Sequence, residues 1–539
     1  MASMKFIASL VLMATLPATA LAASGAAVAS AEPYANDTDR AVAGRYEERE
    51  GDWRNGAIVY QVLVDRFAPS ASLDAKRNLY PAPKVLRRWD EVPTRGTYLP
   101  DAKLWSHEID FWGGDLRSTL GKLDYIQGLD ADVLYVNPVH LAYTNHKYDA
   151  VDFKAISPEF GTRADMQALV DSAHAKGMKV VLDGVFNHMG RNSPIFREAQ
   201  ANPASAYRDW FVWGDDFPGG ARVWMDAENL VELNLENPEV RDYIYGKPDS
   251  VVQGYLAQGV DGWRLDVAYD IGFAYLGELT RAAHARKPGS LVVGEIANYP
   301  REWFPHVDAV MGFTLRELIL RIARREIDVQ TGQRMIERLV TDAGIDNMLK
   351  SWLMLDNHDT HRIATTLPVP SQRRLAQVLQ FTLPGSPNLY YGSELGMVGG
   401  GDPEMRAPMR WDLVKDDNPA LAWTRQLIQL RKQHRALRVG DIRRIESSQL
   451  LAFERYTDRL RDAVLVLANP SDKPVTEVVL IPDSKLMNMS RLSNLLDPAA
   501  AQVPLVSSTI TVTVPAESVL VLGPDTSAKA GYSPYKRVQ

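Results

Sequence analysis

The chain has 539 residues, which at about 150 residues per domain predicts three to four domains or one large barrel with appended units. Its 60 Lys and Arg against 67 Asp and Glu give a formal net charge of -7, spread along the sequence, so no nucleic acid partner is expected. Hydrophobic residues make up 46% and charged residues 24%, which indicates a folded globular protein rather than disorder, coiled coil or collagen. The absence of cysteine excludes disulfides, thiolate metal sites and cysteine nucleophiles.

The first residues have the pattern of a secretory signal peptide. Lys5 precedes an apolar run over residues 6–16, and the small-residue sequence Ala20-Leu21-Ala22 follows. We predict a signal peptide over residues 1–31, with an alternative cut after residue 22, and a leader over residues 32–55. The protein is therefore expected to be secreted or periplasmic. The apolar run is shorter than the roughly 20 residues of a membrane-spanning helix, and no later segment approaches that length, so no membrane span is expected.

From about residue 56, short apolar runs that end in polar residues alternate with helix-like stretches. The candidate strands are residues 57–65, 132–137, 179–183, 262–266, 291–295, 309–313, 351–356 and 388–391. The helix-like stretches include residues 163–176, 272–286, 331–341 and 372–382. Eight alternating units predict an α/β fold with a closed (β/α)8 TIM barrel over residues 56–188 and 238–437. A doubly wound open sheet is the alternative.

Two connections are longer than the 2 to 6 residues of an ordinary βα loop, and we interpret them as insertions. The first covers residues 68–106. The second is a small inserted domain after strand 3, over residues 189–237, and contains Trp210, Trp213 and Trp224. These Trp side chains line a binding cleft or pack the core of the insert.

The character of the sequence changes again after about residue 438. Short alternating strands without helices between them are expected at residues 450–456, 463–468, 475–480, 510–514 and 518–522. They predict a C-terminal antiparallel β-sandwich domain over residues 438–525. Residues 526–539 have no apolar period and are expected to form a loose tail.

Ionisable residues stand at the ends of several predicted barrel strands, where the active site of such a barrel lies. Alternation along strand 4 places Arg264 and Asp266 on the barrel-facing side and Trp263 and Leu265 toward the helices. A guanidinium next to Asp266 favours the ionised carboxylate, as a nucleophile requires, although a structural ion pair is an equal alternative. Glu295 follows a wholly apolar strand, a setting that raises the pKa of a carboxyl group and suits a general acid.

Strands 3 and 7 also run into polar residues. Strand 3 leads into Asp183, Asn187 and His188, and strand 7 leads into Asn357, His358 and Asp359. Alternation places Asn357 and Asp359 on one face, with His358 opposite or displaced by the loop. Each His taken singly is better explained as a core residue. Together, paired carboxylates with accessory His and Arg are what the cleavage of a glycosidic bond needs.

With these motifs, the sequence resembles the α-amylase family, glycoside hydrolase family 13. The motifs that carry the resemblance are DGVFNH (183–188), GVDGWRLD (259–266), GE (294–295) and NHD (357–359), joined by FWGGD (111–115), HKYD (146–149), VELN (231–234) and YYGSE (390–394). Val-Ala-Tyr-Asp after Asp266 is similar to the neopullulanase and cyclomaltodextrinase branch, whereas Ile-Ala-Asn after Glu295 lacks the Trp of that branch.

The resemblance implies a retaining mechanism with Asp266 as nucleophile, Glu295 as general acid/base and Asp359 as transition-state stabiliser. It also implies that Arg264 orients Asp266 and that Asp183 is the structural partner of Arg264. Binding of the sugar ring in the cleavage subsite is implied for three further residues, which are Tyr148, His188 and His358. The family fold, a (β/α)8 barrel with an insert after strand 3 and a C-terminal β-sandwich, agrees with the layout read from the strands.

The expected function is an exported hydrolase of α-glucosidic bonds, mainly α-1,4, in starch-derived glucans or maltooligosaccharides. Alternatives are an α-glucosidase, a glucosyl transferase or an isomerase acting on α-1,6 or sucrose-type substrates, and a catalytically silent sugar-binding module. No cofactor is expected to be required. Calcium through Asn187 remains an alternative, because Arg66-Phe67 is followed by Ala-Pro-Ser-Ala-Ser rather than an oxygen-rich loop.

Overall fold

The structure, a computed structural model, describes residues 37–533. The predicted signal peptide therefore lies outside the described residues. Eight parallel strands form the central sheet: β1 (Val59–Val62), β2 (Val133–Val136), β3 (Lys179–Gly184), β4 (Gly262–Leu265), β5 (Leu291–Gly294), β6 (Ala309–Val310), β7 (Trp352–Met354) and β8 (Ser386–Tyr390). All eight predicted strands are present, each within its predicted range or displaced by one or two residues.

The sheet closes on itself. Its neighbours run in the order β6-β5-β4-β3-β2-β1-β8-β7, and a parallel bridge between Met311 and Trp352 joins the two ends. Successive side chains of each strand point to opposite faces, so Val59 lies in the apolar core inside the barrel and Tyr60 in the core outside it. The closed barrel is confirmed, and the doubly wound open sheet is excluded.

Helices surround the barrel. They are Leu116–Leu120 and Leu123–Gly128 after β1, Arg163–Ala175 after β2, Val251–Ala257 after β3, Ala268–Arg286 after β4, Phe313–Ala323, Val329–Ala343 and Ile345–Lys350 after β6, Ile363–Thr366 and Pro370–Thr382 after β7, and Pro419–Gln433 and Arg435–Val439 after β8. The strict strand-helix alternation fails once, because residues 295–308 between β5 and β6 form turns. Pro300 and Pro305 lie in this short connection, and proline cannot supply the backbone donor that a helix interior needs.

Both predicted insertions have ordered structure. The first contains a hairpin of Tyr98–Leu99 with Leu104–Trp105, followed by the 3-10 turn Ser106–Ile109. In the second, His188–Gly190 pairs with Leu230–Glu232, and the helix Pro194–Ala201 lies between them. Apolar side chains of this second insert belong to the same hydrophobic cluster as the outer layer of the barrel, so it is packed onto the barrel.

The C-terminal part is an antiparallel β-sandwich. Its strands are β9 (Asp441–Arg444), β10 (Leu451–Tyr456), β11 (Val464–Asn469), β12 (Val475–Leu480), β13 (Arg491–Asn494), β14 (Val503–Pro504), β15 (Thr509–Val514) and β16 (Ser518–Pro524). Six of them form a sheet in the order β9-β10-β11-β16-β13-β14, and β12 pairs with β15. A separate apolar cluster lies between these sheets, so the predicted sandwich is confirmed.

The end of the described chain corrects one expectation. Residues 526–533 are not loose, because Ala528–Ala530 form a 3-10 turn and Tyr532 is buried in the core of the sandwich. Its hydroxyl accepts a hydrogen bond from the backbone N–H of Met487 at 3.2 Å. A single buried aromatic ring thus anchors a segment without periodic hydrophobicity, which is why the sequence pattern gave no sign of it.

The segment predicted as a leader contains the helix Asp37–Gly51, which packs beside the barrel and the β-sandwich. Arg49 is 4% exposed and donates hydrogen bonds to Asp441 at 2.8 Å, to Asp346 at 2.6 Å and to the carbonyl of Val439 at 3.1 Å. One buried guanidinium therefore joins the helix, the barrel and the first strand of the sandwich. No helix within residues 37–533 is long and apolar enough to cross a membrane.

Replacing this guanidinium tests the connection. We expect Arg49→Ala to destabilise the protein by about 2–4 kcal/mol, because it leaves Asp441, which is 14% exposed, and the carbonyl of Val439 without this buried donor. The matched control is Arg45→Ala, whose side chain is 49% exposed and contacts the same Asp441, with an expected loss below about 1 kcal/mol. Scanning calorimetry of both variants measures the difference, and equal losses would contradict the assigned role of Arg49.

Candidate active site

A buried arginine at the carboxyl end of β4 contacts three carboxylates. Nη1 of Arg264 lies 2.8 Å from Oδ1 of Asp183 and 3.0 Å from Oδ1 of Asp266, and Nη2 lies 3.0 Å from Oε1 of Glu295. The barrel produces this cluster directly, since β3 and β5 flank β4 and place Asp183 and Glu295 on either side of it. Side-chain alternation along β4 is as predicted, because Trp263 packs outward at 5.3 Å from the ring of Phe186.

The turn after β4 also supports the cluster. Val267 adopts a left-handed backbone conformation with φ of 47°, which is rare for a β-branched residue and costs conformational energy. In this conformation its N–H donates to Oε2 of Glu295 at 2.8 Å, while the N–H of Asp266 donates to the carbonyl of Gly184 at 3.0 Å. The local strain thus coincides with a hydrogen bond to the candidate general acid.

Asp359 lies beside a second cation. Its Oδ1 accepts a hydrogen bond from Nη2 of Arg406 at 3.2 Å, and its Oδ2 lies 3.0 Å from Nε2 of His358. The N–H of Asp359 donates to the side-chain oxygen of Asn357 at 3.0 Å, which fixes the turn after β7. His358 is therefore not on the opposite face, because the turn brings its ring to the same side as Asp359.

His358 and Tyr148 form one hydrogen-bonded unit. The amide of Gln61 donates to Nδ1 of His358 at 2.9 Å, which leaves Nε2 as the protonated nitrogen, facing the Tyr148 hydroxyl. The Tyr148 hydroxyl donates to Oδ2 of Asp183 at 2.7 Å, and its ring stacks on His358 at 5.3 Å. Burial, reinforced by the positive charge of Arg264, keeps the pKa of His358 well below its usual value, so the ring is neutral.

His188 lies on the other side of the nucleophile candidate. Its Nε2 is 3.9 Å from Oδ2 of Asp266, and burial lowers the pKa of His188 to about 3. Trp224 stacks on this imidazole with ring centroids 5.9 Å apart. Of the three Trp residues in the second insert, Trp224 reaches the site, whereas Trp210 packs on Tyr243 and is 6% exposed. Trp213 packs on Phe196 with centroids 5.5 Å apart.

The carboxyl groups of Asp266 and Glu295 both have a raised affinity for a proton. Burial, followed by the negative charge of Glu295, raises the pKa of Asp266 well above its usual value. Burial also raises the pKa of Glu295, opposed by Arg264 and reinforced by Asp359. Because the groups are coupled, the pair as a whole retains a proton more readily than two free carboxylic acids do.

This result corrects one electrostatic expectation. Arg264 does lower the pKa of Asp266, as predicted, but burial and the charge of Glu295 outweigh it and the net direction is upward. Side-chain alternation correctly identified Arg264 as the neighbour of Asp266. It did not show that Glu295 would share the same guanidinium.

The calcium alternative does not fit the surroundings of Asn187. Its backbone carbonyl accepts a hydrogen bond from the N–H of Leu233 at 2.9 Å, and its side-chain amide lies 3.5 Å from Nδ1 of His188. Calcium takes 6–8 oxygen ligands, often carboxylates. Within residues 37–533, no group of three or more His, Cys, Asp or Glu side chains is arranged to hold a metal ion. We therefore assign no step to a metal.

The sequence model of the family described as "Alpha amylase, catalytic domain" matches residues 61–467. The chain belongs to the α-amylase family. Neopullulanase 2 of Thermoactinomyces vulgaris is 32% identical over 452 residues, covering 80% of this chain and 72% of that protein. A cyclomaltodextrinase of Geobacillus thermopakistaniensis is 33% identical over 413 residues, covering 72% of this chain and 64% of that protein.

Solved structures of α-amylase family enzymes share this fold over most of the chain. The ligand-free cyclic α-maltosyl-(1→6)-maltose hydrolase of Arthrobacter globiformis superposes with a TM-score of 0.73 and 28% identity, covering 88% of this chain and 100% of that one. The type III pullulan hydrolase of Thermococcus kodakarensis gives a TM-score of 0.74 at 28% identity, covering 88% and 82%. The protein is thus a glycosidase of this family, and the resemblance to the neopullulanase and cyclomaltodextrinase branch is confirmed.

Sequence reasoning missed several residues of this site. Gln61 and Asn137 tie β1 and β2 to the cluster, and Tyr135 donates to Oδ2 of Asp183 at 2.7 Å. Gln61 had a usable signal, because it is the one polar residue in the strand Val-Tyr-Gln-Val. Arg406 had none, since it reaches Asp359 from a loop 47 residues further along the chain.

The raised pKa of Asp266 predicts how the melting temperature depends on pH. A carboxyl with a raised folded-state pKa stabilises the fold fully below its unfolded value of 3.8, and this contribution is lost as pH rises toward the folded-state pKa. Asp266→Asn removes the penalty, so we expect the variant to be more stable than the wild type at pH 7.

Calorimetry at pH 7 and near pH 4 measures this difference between wild type and variant, and the gain should shrink at the lower pH. Asp359→Asn is the control, because Asp359 is 39% exposed and paired with Arg406. A variant that is less stable than wild type at pH 7, yet equal to it near pH 4, would contradict the assignment.

Proposed function

We propose that the protein is a retaining hydrolase of α-glucosidic bonds, mainly α-1,4, in starch-derived glucans or maltooligosaccharides. The observation that carries the proposal is the convergence of Asp183, Asp266 and Glu295 on Arg264, with Asp359 held beside them by Arg406. The guanidinium of Arg264 bridges Asp266 and Glu295 and so keeps their carboxyl groups close. A retaining mechanism needs two such groups about 5 Å apart. The names of the relatives, a neopullulanase and a cyclomaltodextrinase, support an α-glucan as substrate.

In the first step, Glu295 donates a proton to the departing glycosidic oxygen while a carboxylate oxygen of Asp266 bonds to the anomeric carbon. The C–O bond to the leaving group breaks, and a covalent glycosyl-enzyme forms. In the second step, Glu295 takes a proton from water, whose oxygen bonds to the anomeric carbon as the bond to Asp266 breaks. The coupled pair suits this sequence, because one member must hold a proton while the other is ionised.

The surrounding residues position the sugar. Asp359 supplies a negative charge to the oxocarbenium-like transition state, and Arg406 fixes its orientation. His188 and His358 are both neutral, so neither competes with Arg264 for the carboxylates. Within the described residues Nε2 of His188 has no hydrogen-bond partner and can bind a sugar hydroxyl, whereas His358 is held by Gln61 and positions the Tyr148 hydroxyl. The ring of Tyr148 provides an apolar face for the sugar in the cleavage subsite.

Two substitutions test the assigned roles. Asp266→Asn is expected to lower turnover by about 10⁴-fold or more, because the nucleophile is lost. Glu295→Gln should affect natural glucans far more than 4-nitrophenyl glycosides, whose leaving group needs no proton. Turnover is measured on both substrate types, with circular dichroism to verify folding. Normal activity of Asp266→Asn would overturn the assignment.

The stereochemistry and products decide between the proposal and its alternatives. NMR of the initial products from maltoheptaose and pullulan should show the α-anomer, and chromatography should show maltose or longer products. Glucose alone as product would favour an α-glucosidase, and transfer products exceeding free reducing sugar would favour a transferase. Sugar binding without turnover on any α-glucoside would favour a silent binding module.

We also propose that the protein is exported. The support is the order of Lys5, an apolar run over residues 6–16 and a small-residue cleavage sequence, all outside the described residues. Mass spectrometry of the protein recovered from the medium or the periplasm should give an N-terminus at residue 23 or 32. Recovery of the uncleaved chain from the cytoplasm would contradict export.

A further inference from the structure

The hairpin of the first insertion has two different faces. Tyr98 and Trp105 stand directly opposite each other in the antiparallel pair, and so do Leu99 and Leu104. Leu104 is 2% exposed and belongs, with Ile109, to a small apolar cluster inside the insertion. This packing turns the two aromatic residues to the other side of the hairpin.

The aromatic pair is exposed and held in place. Tyr98 is 42% exposed and Trp105 is 37% exposed, with ring centroids 5.8 Å apart at 69°. The guanidinium of Arg95 lies 4.9 Å from the Trp105 ring. Two large aromatic side chains fixed next to each other on a surface mark a binding site more often than scattered apolar residues do. Flat aromatic faces of this kind pack against the C–H faces of glucose rings.

Contacts lead from this pair to the candidate catalytic residues. The Trp105 ring is 6.2 Å from the ring of His107, whose Nε2 lies 3.2 Å from Oδ2 of Asp402. Asp402 pairs at 3.3 Å with Nη1 of Arg406, which in turn binds Asp359. Tyr98 and Trp105 therefore stand only a few side chains away from the reacting centre.

A further contact ties the hairpin to the second insert. Nζ of Lys103, in the hairpin turn, lies 3.2 Å from Oε2 of Glu228 in the second insert. Glu228 belongs to the same loop as Trp224, which stacks on His188. The aromatic pair is thus part of the rim that surrounds the site.

Barrel order sets the direction of the bound chain. The insertion follows β1, and Glu295 follows β5, which lies diametrically across the eight-stranded ring. The general acid protonates the leaving group, so the departing part of the substrate lies on the Glu295 side. The hairpin side is therefore the side of the glycone, the part of the chain that is transferred to the nucleophile.

We propose that Tyr98 and Trp105 form a distal glucose-binding platform for the non-reducing part of an α-glucan chain, several glucose units from the cleaved bond. This inference rests on the proposed function, because it assumes cleavage by Asp266 and Glu295. The platform makes the enzyme more efficient on substrates whose glycone is long enough to reach it.

The test compares two 4-nitrophenyl α-glycosides, the maltoside and the maltopentaoside, by release of nitrophenol. When nitrophenol is released, the glucose units of these substrates lie on the glycone side. For the Tyr98→Ala/Trp105→Ala variant we expect kcat/KM on the maltopentaoside to fall about tenfold, as expected for losing the burial of two apolar ring faces. On the maltoside kcat/KM should change by less than about twofold, because a short glycone does not reach the platform.

Two controls accompany the variant. Tyr98→Phe/Trp105→Phe keeps both aromatic faces and should keep the preference for the longer substrate. Trp53→Ala removes a Trp at the opposite end of the barrel, where it donates to the carbonyl of Gly289, and should leave the preference unchanged. A Tyr98→Ala/Trp105→Ala variant that folds normally and keeps the wild-type ratio between the two substrates overturns the platform.

Failure of the proposed function would look different. If the wild type cleaves neither glycoside, as shown by nitrophenol release and by chromatography of shortened oligosaccharides, the proposed hydrolase function is overturned. The platform is then judged by titration calorimetry of maltoheptaose and maltose. Weaker binding of maltoheptaose alone in the alanine variant supports the platform, and unchanged binding of both sugars overturns it.

Discussion

The buried guanidinium of Arg264 is the interaction on which the active site depends. Burying a charge without partners is costly, and Arg264 is fully buried, so it needs the carboxylates of Asp183, Asp266 and Glu295 around it. Three carboxylates around one cation leave an excess of negative charge in a largely buried site. The raised proton affinity of Asp266 and Glu295 reduces this excess, and a protonated member of the pair is what acid-assisted cleavage requires.

The neutral histidines follow from the same constraint. His188 and His358 are fully buried, which disfavours a positive charge on either ring, and Arg264 and Arg406 add to this effect at His358, so both act as hydrogen-bonding groups rather than as charged partners. Arg406 supplies the second cation at Asp359, and its own partner Asp402 contacts His107 in the first insertion. The electrostatic network thus continues from the barrel interior into the loops that form the rim.

The insertions and the barrel strands contribute different parts of the site. Strand ends fix the reacting groups within a rigid ring, whereas the two insertions shape the surroundings and meet at Lys103 and Glu228. Each insertion packs apolar side chains into a hydrophobic cluster, which holds Tyr98 and Trp105 of the first insertion and Trp224 of the second in defined positions. Under the proposed function, the barrel carries out the chemistry and the rim selects for substrate length.

The sequence by itself determined the eight strands, the β-sandwich and the position of Asp266, Glu295 and Asp359 after barrel strands, because strand periodicity and strand-end motifs are local properties of the chain. It also placed Arg264 beside Asp266, since alternation over two residues is local as well. Only the tertiary structure decided that Glu295 shares Arg264, that Arg406 holds Asp359, that Trp224 rather than Trp210 reaches the site, and that Tyr532 anchors the end of the sandwich. Each of these contacts joins residues far apart in the chain. Such contacts depend on barrel closure and loop packing, which no local pattern encodes.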